Sequence, residues 1–153
     1  MKETVEGGCG CGAVRYTLTL DHLPPTYACH CRDCQTWTGS AFNQVALLPE
    51  ALITVSGPVE VCEITGPSGR VSRQRVCRVC HTRLYSTNSA RPGMMGLRAG
   101  TLDESDALDV VAHIWIKRKQ SWITIPDGVP AWPDSAPPEQ FAQVLAAGKA
   151  QYR

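Results

Sequence analysis

The sequence predicts a mainly β fold closed by a short C-terminal helix, and three observations carry that prediction. Short runs of alternating apolar and polar residues recur along the chain, 13 Gly and 11 Pro punctuate them, and helical periodicity is scarce before residue 136. With 153 residues, 43% hydrophobic and 19% charged, the chain has the size and composition of one globular core.

Residues 14–20 (VRYTLTL) alternate cleanly and residues 40–48 more loosely, both with β-favouring side chains, so both read as strands. Residues 52–65 form two such runs around Ser56, Gly57 and Pro58, which predicts a hairpin. A second turn follows at residues 66–69. Residues 71–76 then lead as a strand into the last cysteine pair, and residues 94–99 and 112–116 supply further strands. The total is about seven to nine strands, enough for two packed sheets. After Trp132 the character changes. Pro133, Pro137 and Pro138 precede residues 139–147, where Phe141, Val144 and Leu145 fall at helical spacing. The division is therefore a β domain over 1–132 and a C-terminal extension over 133–153 carrying one amphipathic helix. Its apolar stripe is expected against the body or against a second copy in a homodimer. Its polar face lacks the basic character of a membrane-surface helix.

A net charge of +1 and an isoelectric point near 7.6 give no general pull toward nucleic acid or an anionic membrane. Residues 1–6 lack the apolar run of a signal peptide, and no run of 18 apolar residues occurs. The expected location is the cytoplasm. In that reducing compartment, eight cysteines point to metal binding rather than disulfides.

The cysteines fall into three groups with one left over: Cys9 and Cys11; Cys29, Cys31 and Cys34; Cys77 and Cys80; and Cys62. Closely spaced pairs let a tight turn aim two sulfurs at one point, and four thiolates complete the tetrahedral shell of a structural zinc site. Gly7, Gly8, Gly10 and Gly12 suit a backbone that curls around a metal. Spacing alone leaves open which groups share an ion. The arithmetic favours two zinc ions: Cys9, Cys11, Cys77 and Cys80 around a structural one, and Cys29, Cys31 and Cys34 around another with a fourth position open. Three ligands plus an open position is the arrangement of a catalytic zinc. Three thiolates overcompensate the 2+ charge and weaken the ion as a Lewis acid toward water. A thiol is then the natural fourth ligand, deprotonated on binding and ready to attack an aldehyde.

Residues 7–16 (GGCGCGAVRY), 29–40 (CHCRDCQTWTGS) and 77–84 (CRVCHTRL) together resemble the glutathione-dependent formaldehyde-activating enzyme family, which includes the centromere protein V group. Residues 113–122 (HIWIKRKQSW) and 126–130 (PDGVP) resemble the same family's C-terminal signature, so the likeness spans roughly 7–132. His81 departs from it, standing where that family commonly has glycine. The resemblance implies a Mss4-like β-tent with zinc knuckles and the division of cysteines given above. It also implies a carbon-sulfur lyase that adds formaldehyde to the glutathione thiol, with Cys29, Cys31 and Cys34 holding the catalytic zinc. The alternative is a non-catalytic zinc module for protein or nucleic-acid interaction, and a third reading is a redox or zinc-buffering thiolate site.

The remaining residues divide between sharp and plain readings. Cys62 is expected as a small core hydrophobe rather than a fourth ligand. His30, alternating with ligating cysteines, is expected to point away from them, and His113 to be a hydrogen-bonded strand residue. His22 reads as a turn residue. Trp37, Thr38, Gly39, Ser40 and Phe42 either line the open position or pack beneath it. Lys117, Arg118 and Lys119 read as a solvated turn rather than a contact for a thiol's carboxylates.

Overall fold

The computed structural model describes residues 4–148. Its chain divides into two compact units, residues 4–23 with 46–107 and residues 24–45 with 108–148. The mainly β expectation holds. Among the described residues there are ten strands: β1 (Val5–Gly8), β2 (Arg15–Leu18), β3 (Thr26–Cys29), β4 (Asn43–Pro49), β5 (Ile53–Ser56), β6 (Val59–Thr65), β7 (Val71–Cys77), β8 (Arg83–Asn88), β9 (Met94–Arg98) and β10 (Val110–Ile114). Two α-helices accompany them, α1 (Arg32–Thr38) and α2 (Pro138–Ala147). Sequence alternation had not marked β1, β3 or β8.

In the first unit β1, β2 and β5 form an antiparallel sheet. Gly7 faces Tyr16 across the first pair, and a Cβ on Gly7 would stand 2.3 Å from the tyrosine oxygen, so only glycine fits there. Tyr16 is buried, with its hydroxyl 2.7 Å from that of Thr101. The strands β9, β8, β7 and β6 follow one another in an antiparallel array. Its β6–β7 hairpin turns at residues 66–69 as the sequence predicts, with the Gly66 amide bonded to the Arg70 carbonyl.

The hairpin expected over residues 52–65 does not form. β5 pairs with β2, setting Ile53 opposite Leu18, whereas β6 pairs with β7 over seven residues. Gly57 makes the exchange between sheets. Its φ is +109°, and a Cβ there would lie 2.2 Å from the Ala13 carbonyl oxygen. The turn signal was real, but it marks a crossing of the chain.

In the second unit β3 lies between β10, which runs parallel to it, and β4, which is antiparallel. The helix α1 lies in the part of the chain where helical periodicity is scarce. It buries no residue, so it has no apolar stripe for periodicity to find. Its ends define it instead. Cys31 caps the N-terminus in extended conformation, its sulfur accepting the Cys34 amide at 3.4 Å, and Gly39 closes the C-terminus at φ +62°. The C-terminal helix α2 is where the sequence puts it, opened by Pro138 and ended by Gly148 at φ +70°. Phe141 anchors it within its own unit, edge-on to Tyr27 at 4.9 Å and to Trp132 at 6.3 Å.

Candidate functional site

The seven cysteines singled out by spacing gather into two groups, one in each unit. In each, the sulfurs lie within 4.8 Å of one another: Cys9, Cys11, Cys77 and Cys80, and separately Cys29, Cys31 and Cys34. Cys62 joins neither and is exposed on β6, not a core residue as expected. Five of the seven β6 residues are exposed, including Glu60 and Val61 to one side of Cys62, and only Val59 and Ile64 are half-buried.

In the four-cysteine group the Cys9 and Cys11 sulfurs are 3.5 Å apart, and those of Cys11 and Cys77 3.9 Å. A tetrahedron with zinc–sulfur bonds near 2.3 Å sets sulfurs about 3.8 Å apart, so the group fits that ion. Backbone amides turn toward the sulfurs, Val14 to Cys9 at 3.2 Å and Val79 to Cys77 at 3.4 Å. Such donors stabilise thiolates and orient them. Thr82, which spacing did not reveal, ties the two cysteine turns together. Its hydroxyl oxygen accepts the Gly10 amide at 3.1 Å and lies 3.1 Å from the Cys80 sulfur. Hydrogen bonding from the Thr82 hydroxyl and amide pushes the Cys80 thiol down to about 5. The only sequence signal for Thr82 is a hydroxyl two positions after the last cysteine.

The three-cysteine group is built where β3 runs into α1. Cys29 ends the strand, Cys31 caps the helix, and Cys34 lies in its first turn. Hydrogen bonds from the Cys29 and Cys34 thiols, aided by the Cys34 and Asp33 amides, hold Cys31 far below the ordinary thiol range. The same crowding, with burial added, pushes Cys29 up. Sulfurs that cannot all ionise side by side are relieved by a cation, and this donor set suits a thiophilic one such as zinc. Among the described residues no fourth His, Cys, Asp or Glu joins the group.

His30 does point away from the sulfurs, but into the interior rather than into solvent. It is fully buried, with its ring 5.3 Å from Phe42 and 5.2 Å from His113. Its Nε2 lies 2.9 Å from His113 Nδ1, which makes His113 the hydrogen-bonded strand residue the sequence suggested. Burial, and then the charge of Lys119, lowers the basicity of His30. Burial, reinforced by His30, brings His113 down to about 4. Phe42 thus packs beneath the loop.

Gly39 and Ser40 line an open cavity of about 520 Å³ together with Arg32, Gln35, Gln120 and Trp122. Trp122 is 72% exposed there. Gln35 is a strut that sequence spacing did not reveal. It donates to the His30 and Arg118 carbonyls, both at 2.9 Å, and accepts from Gln120 at 2.8 Å. No signal links positions 35 and 120 before folding. The basic run is a turn, as expected: Lys117 pairs with Asp134 and lies over the Trp115 ring.

A chain of this fold with two converging sulfur groups is a cysteine-rich β protein able to hold metal ions. It belongs to the glutathione-dependent formaldehyde-activating enzyme family, whose sequence model matches residues 4–118. A Halomonas elongata protein provisionally named as a glutathione-dependent formaldehyde-activating enzyme is 25% identical over 130 residues, covering 79% of this chain and 80% of its own. A Rhodobacter sphaeroides protein of known crystal structure shares the fold at a TM-score of 0.50 and 16% identity, over 83% of this chain and 98% of its own. No helix among the described residues is long and apolar enough to cross a membrane.

Proposed function

We propose that the chain is a zinc-dependent carbon-sulfur lyase acting in the synthetic direction, joining a small thiol such as glutathione to formaldehyde or a related small aldehyde. The observation that carries this reading is the convergence of Cys29, Cys31 and Cys34 without a fourth metal-binding side chain among the described residues. Family membership and the name of the Halomonas elongata relative supply the substrate pair.

In this reading Cys29, Cys31 and Cys34 hold the catalytic zinc, and Cys9, Cys11, Cys77 and Cys80 the structural one. The catalytic ion, when bound, supplies the charge that lets an incoming thiol lose its proton near neutral pH. In the reaction the sulfur forms a bond to the aldehyde carbon, the carbon–oxygen π bond breaks, and a proton is taken up at oxygen. The product is the S-hydroxymethyl thiol. The residues of α1 position the reactants. The cavity beside Arg32, Gln35, Gln120 and Trp122 offers the body of the thiol a guanidinium, amide groups and an aromatic face. These suit carboxylates and peptide groups.

The test is exchange NMR of 13C-formaldehyde with glutathione, with and without the zinc-loaded protein. Exchange into the S-hydroxymethyl adduct faster than the spontaneous rate is expected, and its loss on Cys31→Ser. Zinc-loaded protein that leaves the spontaneous rate unchanged rejects the lyase reading and leaves the non-catalytic zinc module.

A further inference from the structure

We infer that His113, acting through His30, is the positioning residue of the three-cysteine loop and sets how tightly that loop grips its metal. The inference rests on the reading that Cys29, Cys31 and Cys34 bind a metal, and not on the reaction proposed above.

His30 is the residue between two of the three sulfurs, so whatever fixes His30 fixes the angle at which Cys29 and Cys31 face each other. Its backbone is held twice: its amide donates to the Ile114 carbonyl at 3.0 Å, and its carbonyl accepts from Gln35. Its side chain is held by His113 at 2.9 Å in a stacked pair with an interplanar angle of 28°. His113 is itself immobilised. It sits in β10 opposite Ala28 of β3, its amide donates to the Pro130 carbonyl, and its carbonyl accepts from Trp132. The backbone on both sides of the ring is therefore fixed, and the ring is a rigid post against which the loop leans.

The hydrogen placement follows from what is left over. His30 Nδ1 is buried and has no hydrogen-bond partner among the described residues. An orphaned N–H costs more than an orphaned lone pair, so that nitrogen is bare and His30 carries its proton on Nε2. His30 is then the donor and His113 Nδ1 the acceptor. The tether thus reaches the metal loop from a strand 83 residues away in sequence. Partners hydrogen-bonded directly to the ligands typically change metal affinity about 10–100-fold, and His113, one residue further out, is expected to act at the lower end of that range.

The probe is cobalt(II) loaded into both sulfur groups of the full chain, read by its thiolate charge-transfer and ligand-field bands. Cys34→Ser identifies the bands of the three-cysteine site. His113→Leu is expected to release that ion to a competing chelator about 10-fold more readily and to alter its bands. The four-cysteine bands, unchanged, report that the variant is folded. His113→Asn keeps an acceptor where Nδ1 stood and is expected to restore most of the retention and the native bands. The inference is overturned if His113→Leu holds both cobalt ions as wild type does. If the leucine variant does not fold, His113→Asn decides: native bands and retention support the tether, and a folded asparagine variant with a disturbed three-cysteine spectrum refutes it. Because cobalt retention is read without turnover, an inactive protein with the expected cobalt behaviour would reject the lyase and keep the tether.

Discussion

His81 follows the last cysteine of the four-sulfur group with φ at +62°, a backbone region that side chains with a Cβ enter at a cost. Its amide closes the turn onto the Cys77 carbonyl at 2.9 Å, so the conformation belongs to the knuckle and not to the histidine. Glycine there should relieve strain, and His81→Gly is expected to stabilise the metal-loaded protein by about 1 kcal/mol. A urea midpoint at or below wild type would contradict this. Gly7 is the opposite case. Its missing side chain makes room for the Tyr16 hydroxyl and the Thr101 carbonyl, 2.3 and 2.5 Å from where a Cβ would stand. Gly7→Ala is expected to lose about 1–3 kcal/mol, as overpacking does, measured on the same urea curve. At this scale the sulfurs were legible because ligation imposes spacing on the chain. Thr82 and Gln35 were not, since a single hydroxyl or amide leaves no pattern until folding supplies its partners.

Among the elements, β10 brings His113 into a setting that holds it neutral. Burial lowers it from an ordinary 6.5 to about 4. Between those values the unfolded chain binds more protons than the folded one, so stability falls as pH drops from 6.5 toward 4 and is unaffected by this group above 6.5. The loss from one such histidine is at most about 3 kcal/mol. Urea unfolding of the metal-loaded protein at pH 7 and pH 5 should show a smaller drop in His113→Asn than in wild type, and equal drops would contradict the assignment. The elements the sequence yielded were those with a repeating face, such as β7 and α2. Those it withheld have none: α1 buries nothing and is defined by its caps, and β3 is too short for alternation to register. The misread hairpin at Gly57 shows a turn signal without partner information, because β5 and β6 each find better partners in β2 and β7.

For the whole molecule, the two sulfur groups predict unequal responses to metal loss. The four-cysteine group joins β1 to β7 across 66 residues between Cys11 and Cys77, so a metal held there would close a long loop of the chain. Stripping with a strong chelator, or Cys77→Ser, is expected to remove on the order of 10 kcal/mol and unfold that unit. Cys34→Ser should leave a cooperative melt, because the three cysteines of its group span six residues and close no long loop. Circular dichroism melts of the two variants decide this, and a Cys77→Ser protein melting like wild type would show that the first group holds no structural metal.

The separation of Cys11 from Cys77 also bears on the order in which the nascent chain matures. At about 5–20 residues per second, the ribosome delivers Cys77 roughly 3–13 s after Cys11. Through that interval the first sulfur pair is exposed and incomplete, whereas Cys29, Cys31 and Cys34 emerge almost together. Vectorial synthesis therefore offers the local triad to cellular metal first and leaves the four-sulfur staple until its late half arrives. His113 is delivered later still, so an ion captured early by the triad would sit loosely and could be exchanged before β10 docks.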